Sequence, residues 1–195
     1  MLRGVAVVGV VVLAPQLARA EDEDFPDPPL EIAATALYAV SNVRDLIPPD
    51  HLSTPIEGSA QGVIVTGEIG YRINGGSSLG AHLSIGTLAG TYAQKTFGVE
   101  YDRTSYGLIP IDAGVFFHRE MVDQIWGGIL LGAHVDGTRF FGDTSWSAAL
   151  GTGLEVGWDV EHWGYHWISV NARAIAGLTG NVGFGAICIG LGYHH

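Results

Sequence analysis

From about residue 31 to its C-terminus the chain alternates residue by residue, in about eight separate segments. Val63, Val65, Ile69 and Tyr71 interleave with Ile64, Thr66, Glu68, Gly70 and Arg72. Trp146, Ala148, Leu150, Leu154, Val156 and Trp158 interleave with Ser147, Ala149, Gly151, Gly153, Glu155 and Gly157. A period of two is the signature of a β-strand, whose side chains point to opposite faces in turn. One set is free of charge, and the other carries glycine, serine, threonine and nearly all mid-segment charges. A chargeless face repeated strand after strand suits contact with lipid better than contact with water.

The start of the chain points the same way. Arg3, the apolar run Gly4 to Ala14, and Ala18-Arg19-Ala20 have the order of a secretory signal peptide, expected over residues 1–20. That apolar run is shorter than the roughly 20 residues a membrane helix needs. Residues 21–30 are acidic and proline-rich and read as a flexible leader. Residues 31–195 form the single remaining domain.

Composition excludes several classes. The formal net charge is −11 and Lys95 is the one lysine, so the clustered basic residues that nucleic-acid binding needs are missing. The single cysteine, Cys188, rules out an intrachain disulfide and reads as a small packed apolar residue. Charged residues make up 15% of the chain, against roughly 25% in soluble domains. Ala174 to Tyr193 stays uncharged, but its six glycines each cost a helix about 1 kcal/mol relative to alanine, so it reads as two strands and a turn. Apolar bulk without a spanning helix leaves a closed barrel, because lipid satisfies no backbone polar group.

The alternation predicts strands over 31–42, 59–72, 78–88, 106–117, 124–137, 144–159, 165–178 and 182–193. Asn74-Gly75-Gly76 is a tight-turn signal between the second and third. Residues 44–58 and 90–105 read as long loops, whereas the second, fourth and sixth connections are short. Long loops outside and short turns in the periplasm is the parity of a barrel threaded with its N-terminus inside. Aromatic residues are expected in two interfacial belts. Tyr71, Phe117, Trp126, Trp158, Trp163, Tyr165, Trp167 and Tyr193 fall at the periplasmic end, and Tyr38, Tyr106, Phe140, Phe141 and Trp146 at the outer end.

Even strand count, export signal, alternating faces and turn parity together resemble the small eight-stranded outer-membrane barrels of Gram-negative bacteria, the OmpA and OmpX type. The resemblance covers roughly Glu31 to His195 and rests on pattern rather than on a diagnostic string. It implies an all-β, eight-stranded antiparallel transmembrane up-and-down barrel in the bacterial outer membrane. Members of this class usually end in a strand with aromatics at the last and third-last positions; here Tyr193 and His195 stand at that spacing, so the final residue departs from the pattern.

The inward set holds Glu68, Arg72, His82, Asp112, His134, Glu155 and Arg173. An eight-stranded barrel has room only for its own side chains, and an unpaired buried charge is very costly, so these groups are expected to form a structural ion-pair network. A turn centred near Gly75 sets Glu68 opposite His82 and predicts a contact favouring the protonated imidazole. Four histidines, His162, His166, His194 and His195, are expected to converge at the periplasmic rim, with residue 166 opposite residue 193. They are candidate ligands for Zn²⁺, Ni²⁺ or Cu²⁺. His82-Leu83-Ser84 and His51-Leu52-Ser53 match the spacing of a His-x-Ser pair found in some lipid-modifying barrels, but the first faces inward and the second lies in a proline-rich loop. No catalysis and no cofactor are expected.

The sequence therefore reads as an outer-membrane barrel with a plugged polar interior and a structural or surface-interaction role. Tyr92, Lys95, Phe97, Tyr101 and Arg103 are candidate outer-loop contacts for an extracellular protein or glycan. The other expected partners are the bilayer and lipopolysaccharide. Two alternatives stand beside this reading: a narrow channel or binder for a small hydrophobic molecule, as in the similar OmpW type, and a soluble periplasmic lipocalin-like barrel with the apolar set inside.

Overall fold

A computed structural model describes residues 30–46, 56–74, 76–96, 99–140, 142–163, 166–177 and 183–195. Eight strands follow one another along the chain: β1 (Leu30–Leu46), β2 (Ile56–Asn74), β3 (Ser77–Thr96), β4 (Val99–Val122), β5 (Ile125–Phe140), β6 (Asp143–Trp163), β7 (His166–Gly177) and β8 (Gly183–His194). Each pairs antiparallel with its sequence neighbour, and β8 pairs with β1, so the sheet closes on itself and leaves no edge. At the seam, Ile32 and His195 exchange both backbone hydrogen bonds at 2.8 Å. The signal peptide and leader fall outside the described residues.

The two alternating sets take opposite faces. Val63, Val65, Ile69, Trp146, Leu150 and Leu154 are exposed on the outer wall, and Ile187 reaches 74% exposure. Glu68, Asp112, His134, Glu155 and Arg173 are buried inside. This is the reverse of a soluble lipocalin-like barrel, and it corrects that alternative. Water would meet a continuous aliphatic band, whereas hydrocarbon accepts it.

Two loop expectations are also corrected. Residues 90–105 are not a loop: β3 runs to Thr96 and β4 starts at Val99, so the segment is a hairpin. Strands of 20 and 24 residues exceed the roughly 9–11 that a tilted strand needs to cross a membrane. Residues 44–58 likewise shorten, with strand reaching Leu46 and resuming at Ile56. The turn joining β4 to β5 is tight, with Gln124 in the left-handed region at φ 64°.

Three residues expected in the aromatic belts lie inside instead. Tyr106, Phe140 and Trp126 are buried, whereas Tyr38, Tyr71, Trp146, Trp158 and Trp163 are exposed on the outer wall. Phe141 and Tyr165 fall outside the described residues. The inward rings are seated where glycine faces them. A Cβ at Gly157 would run into the Trp126 indole, and one at Gly90 would come within 2.7 Å of the Tyr106 ring. Glycine also lets strands approach closely at the Gly114–Gly132 pair of β4 and β5, where a Cβ on either residue would collide with the opposite backbone carbonyl.

Candidate functional site

Inside the barrel the described residues divide into two zones. Towards the end that carries both termini, the lumen is polar. Towards the opposite end, Leu37, Ile64, Leu88, Leu108, Ile175 and Phe184 form an apolar cluster. Tyr92, Tyr106 and Phe140 cap that cluster with ring centroids 5.7–6.3 Å apart.

Arg173 on β7 organises the polar zone. It is 2% exposed. Its Nη2 donates to Glu68 Oε1 and to Glu155 Oε2, both at 2.7 Å, and its Nη1 donates to Thr66 Oγ1 at 2.7 Å. Thr66 in turn lies 2.8 Å from Ser84 across β2 and β3. Charge-assisted bonds of this length pair one oxygen of each carboxylate with the cation, while Glu155 Oε1 and Arg173 Nε make no hydrogen bond.

His118 stands beside this cluster. Its ring stacks on Phe116 at 4.3 Å and against Trp126 at 4.6 Å. The column continues from Trp126 to His194, 5.5 Å away. His118 Nε2 is 3.6 Å from Glu155 Oε2, beyond hydrogen-bond reach. Glu68, His118 and Glu155 each offer one ligand atom, and these atoms all lie within 4.8 Å of one another.

A second group sits nearer the apolar cluster. His134 Nδ1 is 2.5 Å from Asp112, its Nε2 is 2.9 Å from Asp136, and its ring stacks on Phe184 at 4.6 Å. Between the two groups a void of about 10 Å³, lined in part by His82, Ser84, Asp112 and Arg173, has room for about one water molecule.

The expected lumen residues are thus distributed over two clusters. Glu68, Glu155 and Arg173 meet in one, and Asp112 and His134 in the other. Arg72 is half-buried near the terminal end. Glu68 and His82 are register partners, as the turn geometry requires, but the Glu68 carboxylate is turned to Arg173. His82 Nδ1 makes no hydrogen bond, so the expected contact is corrected. Sequence reasoning missed His118 and Asp136. Both are even-numbered, like Asp112 and His134 on the same strands, so strand parity alone would have placed them inside.

The described rim histidines divide into two places. His194 points into the lumen, where Nε2 lies 2.9 Å from Ser169 and Nδ1 lies 3.6 Å from Glu31. His166 and His195 stack on each other at 4.6 Å, and His166 Nδ1 lies 2.5 Å from the Tyr193 hydroxyl. The side chain of His162 lies outside the described residues. Residue 193 pairs with Ile168 rather than with residue 166, a two-residue slip from the expected register. Among the outer contact candidates, Tyr92 is corrected: it is 3% exposed and packs inside the barrel. The side chains of Lys95, Tyr101 and Arg103, the whole of Phe97, and His51 and Ser53 lie outside the described residues. His82 and Ser84 are both buried in the lumen.

No family model matches the sequence, and no curated protein matches it. Solved structures do match the fold. The attachment invasion locus protein Ail of Yersinia pestis, solved with the heparin analogue sucrose octasulfate, superposes with a TM-score of 0.57 at 14% identity, over 86% of this chain and all of Ail. The outer membrane protein OprG of Pseudomonas aeruginosa gives a TM-score of 0.57 at 11% identity, over 85% of this chain and 95% of OprG. Closed eight-strand topology, an apolar outer wall and this shared architecture give the chain the fold of the small eight-stranded outer-membrane β-barrels.

Proposed function

We propose that the protein is a non-enzymatic outer-membrane barrel with a closed interior, acting at the cell surface through the end opposite its termini. One observation carries this reading: buried charged and aromatic side chains line the lumen from the His118 column to the Tyr92–Tyr106–Phe140 cap, and the cavity between the polar clusters has a volume of about 10 Å³. A tube so filled offers no continuous path for solute.

The contact surface is the long β3–β4 hairpin. Lys95, Arg103 and Arg139 fall on β3, β4 and β5 towards that end, among acidic neighbours such as Glu100 and Asp102. The mixture favours a protein or a glycan of low charge over a strongly sulfated one. Ail was solved with a sulfated ligand, so heparin serves as the contrasting probe. Lipopolysaccharide and phospholipid cover the apolar wall.

Replacing residues 93–102 by a two-residue turn should leave heat-modifiable gel mobility intact and remove adhesion of expressing cells to host protein or glycan arrays. Unchanged adhesion would refute the surface role. A second reading, passage of a small hydrophobic molecule, is favoured by the apolar cluster near the outer mouth. Proteoliposome swelling or uptake of such a solute would support it over a closed barrel.

A further inference from the structure

We propose that Glu68, His118 and Glu155 form a divalent-cation site inside the barrel, of the nitrogen–oxygen donor type that takes Zn²⁺. Three observations converge on it. First, the donors are gathered: one ligand atom from each residue lies within 4.8 Å of the other two, and all three residues are buried. Second, two polar atoms of these residues are orphaned. His118 Nε2 and Glu155 Oε1 are buried and make no hydrogen bond, although groups so placed are nearly always satisfied. Third, the imidazole and the carboxylate stand side by side without bonding. His118 Nε2 is 3.6 Å from Glu155 Oε2, too far for a hydrogen bond. Oε2 is held by Arg173, so the second oxygen of the same carboxylate, Oε1, is the one left for an ion.

The surroundings prepare the donors. Phe116 and Trp126 both pack against the His118 ring. Gly128, its partner on β5, leaves the room that ring occupies, since a Cβ there would strike the imidazole. Arg173 fixes Glu68 Oε1 and Glu155 Oε2 while leaving Glu155 Oε1 open. Trp126 and His194 lie between the cluster and the terminal end, so the ion enters as the barrel folds.

The test is to refold the full barrel in detergent with Zn²⁺, remove free metal by desalting, and measure zinc per folded chain. Co²⁺ then replaces Zn²⁺ to report coordination through its visible d–d absorption. The wild-type chain should keep about one equivalent. H118F and E155Q should bind at least the roughly 10-fold more weakly that loss of even a supporting residue costs, while the double variant H166A/H195A keeps the ion. If H118F fails to give the heat-modifiable folded band, the near-isosteric E155Q decides. The proposal is overturned if the wild-type barrel retains no zinc, if H118F and E155Q retain it undiminished, or if H166A/H195A loses it, which would assign the metal to the rim.

Discussion

Arg173 and Glu155 are register partners on β7 and β6, and their side chains meet at 2.7 Å inside the barrel. The same guanidinium nitrogen reaches Glu68 at 2.7 Å from β2, on the far side of the lumen. One arginine therefore ties the first third of the sheet to the last.

Removing that arginine leaves two buried carboxylates without their cation. R173M should destabilise the folded barrel by about 3–5 kcal/mol, the usual cost of breaking a buried pair. The triple change E68Q/E155Q/R173M removes the charges together and should recover most of the loss. Urea unfolding in lipid vesicles, followed by tryptophan fluorescence, measures both. Equal instability of the single and triple variants would mean that packing, not charge, dominates at this point.

The glycines separate into close contacts and open positions. A Cβ on Gly114 would overlap the Leu131 carbonyl oxygen, whereas nothing lies within 4 Å of one on Gly67. G114A should therefore prevent closure of the β4–β5 ladder or cost roughly 1–3 kcal/mol, as overpacking does. G67A should be neutral or raise stability by about 0.5–1 kcal/mol through loss of backbone freedom in the unfolded chain. The yield of the heat-modifiable band on refolding distinguishes the two.

The faces of the strands were legible because a period of two leaves little choice: once Val63 and Ile69 point to lipid, Glu68 must point inward. The ends of β3 and β4 were not. Beyond the bilayer a strand no longer needs an apolar outer set, so Thr91, Gln94, Lys95 and Asp102 carry no alternation signal although they continue the ladder. Tyr106, Phe140 and Trp126 were misplaced by residue type, since aromatic rings suggest an interface; their parity with Asp112 and His134 points inside. The Arg173–Glu68 contact lies beyond sequence reasoning altogether. It joins strands that share no ladder, and depends on how the whole sheet staggers as it closes.

Tryptophan offers a direct check of inside and outside. Trp146 and Trp158 are 57% and 54% exposed on the outer wall, while Trp126 is buried and donates to Asp159 at 3.2 Å. In single-tryptophan variants reconstituted with brominated lipids, Trp146 and Trp158 should be quenched strongly and Trp126 little. Strong quenching at Trp126 would place its indole against acyl chains and invert the wall assignment on β5.

Tyr92 provides the last test, because it separates a packing role from a contact role. Its ring meets Tyr106 at 6.3 Å and Phe140 at 5.7 Å, all three under cover at the end opposite the termini. Truncation to alanine removes most of a buried aromatic side chain and should cost about 3–5 kcal/mol, as other large-to-small core changes do. Y92L keeps much of the volume and should cost less. Neither change alters the protruding hairpin tip, so adhesion per folded molecule should stay at the wild-type level while the urea midpoint falls. If adhesion drops in Y92L at unchanged stability, the ring contacts the partner itself and the apolar cap forms part of the binding surface.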